Sequence, residues 1–178
     1  DYTWTGGAGD GNWTSEGNWS GGVPQPGADN RVIFDPGAGV TVSVSGYSFN
    51  FYLPRTIVVK SGTVEFAANA YANDQGGSSA APLVLDIAAD ATLSAAFRLE
   101  RSVFMNVRKE GGGSLLLSNV SGYDGGFAPL GTFEVCAGEV SISDTMRCTN
   151  LVVRAGASFA GAYRLSGKTY GGVTYPLC

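Results

Sequence analysis

The sequence predicts an all-β protein of the solenoid kind, in which short strands stack turn upon turn. Two positive observations and one omission lead there. Apolar and polar residues alternate in many short pieces, each bounded by Gly, Pro, Asp, Asn or Ser. A strand–bend–strand unit recurs along the chain. Helix signals are nearly missing, and even the best candidate, the stretch 93–110, keeps Phe97, Leu99, Val103, Met105 and Val107 at odd positions. That is a period of two, so it reads as strands with a bend near Arg101.

The elements follow in order. The segments RVIF, VTVSV, TIVV, TVEF, LVLDI, SLLLS, TFEV, EVSIS and LVVR each carry the alternation. Aligning their turns exposes the repeat: Gly62 in VVKSGTVEF, Asp90 in LDIAADATL and Gly112 or Gly113 in VRKEGGGSLLL. Gly138 in EVCAGEVSI and Gly156 in VVRAGASFA complete it, these last two standing 18 residues apart. Inward positions Val59, Val64, Leu85, Ile87, Leu115, Leu117, Val135, Val140, Leu151 and Val153 are expected to stack in columns. Two-residue hairpin turns of the Asp-Gly type are scarce, which speaks against an antiparallel sandwich.

One domain is the natural expectation for 178 residues. It divides into an N-terminal cap over 1–36, stacked units over 37–160 and a C-terminal cap or tail over 161–178. All three tryptophans, Trp4, Trp13 and Trp19, fall in the glycine-rich opening segment. A stack of strands leaves its first unit with exposed apolar surface and unpaired backbone, and clustered tryptophans suit a covering role. A sugar-stacking platform is the alternative reading of the same residues.

Composition excludes several functions. The formal charge is −4, and the densest basic group, Arg98, Arg101, Arg108 and Lys109, is broken by Glu100 and Glu110. That is no footprint for nucleic acid. No apolar run approaches the ~20 residues of a membrane span. No signal-peptide pattern precedes Asp1, so any export signal is expected to have been removed or to lie outside this sequence. The absence of histidine removes Ser-His-Asp triads, Cys-His pairs and His-based metal centres. Paired carboxylates remain available for glycoside cleavage, with Glu65, Asp86, Glu100, Glu134 and Glu139 on or beside strands, although solvated surface charge is the plainer reading. Asp10, Asn12 and Glu16 offer calcium-like oxygens, but Asx-turn bonding accounts for them better, and no metal or other cofactor is expected.

At 109–143 the chain resembles the passenger-associated repeat of bacterial autotransporters and related surface proteins. Lys109, Gly111, Gly113, Leu115, Leu117, Ser118, Tyr123, Gly125, Gly126, Ala137 and Gly138 match that repeat in order. Asp124 and Phe127 replace its small hydroxyl residues. The opening segment, with Asn18-Trp19, Gly22-Val23-Pro24, Asp29 and Phe34, is similar to the Trp-rich entry segment of such proteins. The resemblance implies a right-handed parallel β-helix, export, and a secreted or cell-surface passenger with a structural or adhesive role. A carbohydrate-binding module is the alternative, and a polysaccharide-cleaving enzyme the more distant one. Glycans or host and cell-surface components are the partners this implies.

Two polar insertions, 69–80 and 118–131, are expected to project as loops. Tyr71, Asn73, Asp74 and Gln75 in the first, and Tyr123, Asp124 and Phe127 in the second, could grip a sugar. Solvated loop tips are the plainer reading. Of the three cysteines, Cys136 and Cys148 make the preferred disulfide, because alternation turns Cys136 outward and the chain returns to that face about where Cys148 lies. A Cys148–Cys178 bridge and three free thiols are the other outcomes.

Overall fold

The computed structural model of the chain describes residues 1–25, 30–45, 48–49, 56–66, 71–72, 82–95, 98–99, 106–118, 131–148, 150–165, 169–170 and 173–174. The first strands are β1 (Tyr2–Trp4), β2 (Trp19–Ser20), β3 (Arg31–Phe34), β4 (Thr41–Val44), β5 (Ser48–Phe49), β6 (Thr56–Val59) and β7 (Gly62–Phe66). Next come β8 (Tyr71–Ala72), β9 (Leu83–Ile87), β10 (Ala91–Ala95), β11 (Arg98–Leu99), β12 (Val107–Glu110) and β13 (Ser114–Leu117). The last are β14 (Thr132–Val135), β15 (Glu139–Cys148), β16 (Asn150–Val153), β17 (Ser158–Leu165), β18 (Thr169–Tyr170) and β19 (Val173–Thr174). A single 3₁₀ turn, Glu16–Asn18, is the helical content of the described residues.

The strands alternate between two parallel sheets. One has 8 strands in the order β16-β14-β12-β9-β6-β3-β1-β2, and the other has 6 in the order β17-β15-β13-β10-β7-β4. Each long strand of the first sheet passes through a short turn into a strand of the second. Every neighbouring pair in these sheets is parallel except β1 with β2, which is antiparallel.

The expected right-handed parallel β-helix is corrected by this topology. The described residues form two open, facing sheets and not a closed solenoid. Among the described residues a third wall is limited to a short sheet of 3 two-residue strands, β11-β8-β5. Closing a tube requires a further alternating apolar strand in each turn. The strands described in that third wall, of two residues each, are too short to supply it.

One apolar core lies between the two large sheets. In the 8-stranded sheet Val32, Ile57, Leu85, Lys109, Val135 and Val153 stand in register, as do Leu83, Val107, Phe133 and Leu151. In the other, Val64, Leu93, Leu115 and Val140 form one column and Phe66, Ala95, Leu117 and Ile142 a second. Nearly all are buried, as alternation predicts. Val153 departs from expectation: it is 43% exposed, because β16 is the outermost strand of its sheet.

Hydrogen bonding continues through the turns. Lys60 N donates to Phe34 O, Ala88 N to Val59 O, Gly113 N to Ile87 O, Cys136 N to Lys109 O and Arg154 N to Val135 O, at 2.9 to 3.0 Å. Each turn is thus seated on the one before it. The turn of the third unit pivots on Gly111, with φ 71°, rather than on Gly112 or Gly113.

Candidate functional site

The most elaborate side-chain arrangement among the described residues is the entry segment over the β3 end of the molecule. Trp4, Trp13 and Trp19 are all buried, and they pack with Phe34 and Phe66. Trp4 and Trp13 each meet Trp19 edge to face, at centroid distances of 4.8 and 4.5 Å. Trp19 Nε1 donates to Trp13 O at 2.7 Å, satisfying the one polar atom of a buried indole. Each indole is less than a tenth exposed, so none presents an open face on which a sugar ring could stack.

The same segment attaches to both sheets. β1 pairs with β3 and with β2. On the other side Trp13 N donates to Ser45 O and Ser45 N to Gly11 O, at 2.8 and 2.9 Å, just beyond β4. Asn18 is fully buried and ties the loop together. Its Oδ1 accepts from Ala8 N at 2.9 Å, and its Nδ2 donates to Asp10 Oδ1 at 2.7 Å and Asn12 O at 2.9 Å.

This network also places the calcium-like residues. Asp10 Oδ1 accepts from Asn12 N and Oδ2 from Ser15 Oγ, while Asn12 Oδ1 accepts from the N–H and hydroxyl of Thr14. The Ser15 hydroxyl first, then the Asn12 N–H and the Asn18 amide, hold the Asp10 carboxyl below its ordinary value. These oxygens serve Asx turns, and no cluster of three or more metal-ligating side chains occurs among the described residues.

The carboxylates lie on outward faces. Glu134 joins Arg108 and Arg154: Arg108 Nε lies 3.4 Å from Glu134 Oε2, and Arg154 Nε donates to Oε1 at 2.7 Å. Arg108 also meets Glu110 at 3.1 Å. Asp86 and Glu110 are register neighbours on β9 and β12. Glu65 and Glu139 lie on the other sheet, on β7 and β15, with β10 and β13 between them, so they are too far apart to work on one bond. Glu100 lies outside the described residues.

Of the ligand-gripping candidates, Tyr71 begins β8, and nothing is described of its side chain. Asn73, Asp74, Gln75, Tyr123, Asp124 and Phe127 lie outside the described residues. The preferred disulfide is corrected. Cys136 and Cys148 are separate free thiols. Cys148 ends β15 with its side chain buried in the core, whereas Cys136 follows β14 on the outward side, where its sulfur is the first influence raising Arg108.

Lys109 was legible only as a motif residue, and its burial was missed. It takes an inward position in β12 and is fully buried. The signal was its parity: Lys109 continues the odd positions of Val103, Met105 and Val107.

No protein-family model, curated protein or solved structure matches this chain. Among the described residues no helix is long and apolar enough to cross a membrane.

Proposed function

We propose that the chain is a structural or adhesive passenger that works outside the cell, secreted or on its surface. In this reading it is a stiff double-sheet scaffold that holds the polar insertions 69–80 and 118–131 toward a partner, glycans or surface components of another cell. One observation carries the proposal: the in-register parallel ladder, with an apolar core running from the tryptophan cluster to β16. Such a core makes a rigid body without any cleft being needed for its role. Glu134 is spent on Arg108 and Arg154 rather than left free for chemistry, which supports display over catalysis.

The test is a binding and turnover experiment on the whole chain. Immobilised protein is offered to a glycan array and to cell surfaces, alongside variants in which 69–80 or 118–131 is replaced by a short Gly-Ser linker. Binding that disappears with an insertion, with no polysaccharide shortened, is the expected result. Cleavage of a polysaccharide that is lost in Asp86→Asn or Glu110→Gln would overturn it in favour of an enzyme.

A further inference from the structure

Lys109 commits a charged side chain to the core, where the display function does not use it. Lys109 stands in an otherwise apolar column, between Leu85 of β9 and Val135 of β14. Its Nζ donates to Gly111 O at 2.6 Å, in its own turn, and to Ala137 O at 3.0 Å, in the next turn of the ladder. The space it occupies exists because position 138 has no side chain. A Cβ on Gly138 would stand 2.6 Å from Lys109 Nζ and 2.3 Å from Gly113 O.

Alternation by itself does not choose the register here. Sliding β14 along β12 by two residues keeps every apolar side chain facing inward. The same slide would carry Ala137 O away from Lys109 Nζ and leave a buried amine short of an acceptor, which is costly. Asp86 of β9, Glu110 of β12, Cys136 after β14 and Glu139 of β15 surround this turn, yet none lies within ion-pair distance of Nζ among the contacts described. The carbonyls are its partners.

We propose that Lys109 is a register key, a buried amine that clamps the turn 111–113 to the turn 136–138 and so selects one alignment of β12 with β14 and of β13 with β15. The Lys-x-Gly-x-Gly and Ala-Gly elements at 109–113 and 137–138 then form one physical unit. The lysine supplies the donors, Ala137 and Gly111 the acceptors, and Gly138 the room.

The test uses Lys109→Met in the full chain, with amide hydrogen exchange as the readout. The amides of Cys136 and Glu139, which donate to Lys109 O and Gly113 O across this step, are compared with those of Lys60 and Thr63, which bridge an earlier step. The variant is expected to keep its β content while Cys136 and Glu139 exchange at least about tenfold faster relative to Lys60 and Thr63. An unchanged ratio, or equal acceleration everywhere, would overturn the proposal, since a lysine of purely global effect loosens all steps alike. Should the variant not fold, reductive methylation of the unaltered protein decides. Lys109 is expected to react no faster than the Glu139 amide opens, and its dimethylated form to show the same selective acceleration. Reaction as fast as that of exposed Lys60 would sink the clamp.

Discussion

Asn18 shows how far a single amide can organise a loop. Its side chain supplies one acceptor and two donors to Ala8, Asp10 and Asn12, and its carbonyl accepts from Thr5 N at 2.8 Å. Replacing it by Ala strands these partners, at an expected cost of about 2–3 kcal/mol in denaturant unfolding. The Asp10 carboxyl, held below its ordinary 3.8 by Ser15, Asn12 and Asn18, gives a pH signature. A depressed folded value means that the stabilisation is present above pH 3.8 and is lost as pH falls through the folded value. Asp10→Asn is therefore expected to flatten the acid limb of the stability curve. Burial raises the Cys148 thiol to about 11. At pH 8 iodoacetamide should modify Cys136 in the folded protein and reach Cys148 only on unfolding. The same shift has the opposite sign to that of Asp10. Stability is held below the ordinary thiol value of 9.0 and declines as pH rises toward 11.

At the scale of the element, strand and turn obey different rules. Leu115 is fully buried in β13 between Leu93 and Val140, while Leu116 beside it is 41% exposed. Leu115→Ala should cost about 3 kcal/mol, and Leu116→Ala within about 0.5 kcal/mol of nothing. Comparing the two by thermal unfolding checks the facing assignment directly. That assignment was legible in the sequence, because burial on one face of a strand writes a period of two into it. The turn of the third unit was legible only as far as its glycines. Three in a row all permit a bend, and only the folded backbone selects among them: a Cβ would meet a carbonyl oxygen at 2.1 Å at both Gly111 and Gly113, but Gly111 alone takes a positive φ, 71°. Lys109 misleads for a related reason, since a lysine reads as solvent-facing until two carbonyls are placed around its amine.

For the whole molecule, one end of the ladder is closed by aromatic packing that spans both sheets. Trp19→Ala removes the ring that Trp4, Trp13 and Phe34 share, and an expected loss of about 3–5 kcal/mol should appear as a lower Tm whether or not glycans are present. Unchanged stability would deny the tryptophans their covering role. The all-β class, the facing of most core positions and the clustering of the tryptophans were determined by the sequence alone, because each depends on local period or composition. Three things were decided only by the tertiary structure. The long strands described divide between two open sheets instead of closing a tube, since closure depends on pairing between turns that alternation within one strand does not encode. Cys136 and Cys148 stay apart, since pairing depends on which side of the sheet each sulfur faces. And Lys109 lies inside, because its acceptors come from a turn that is close in space and 28 residues away in the chain.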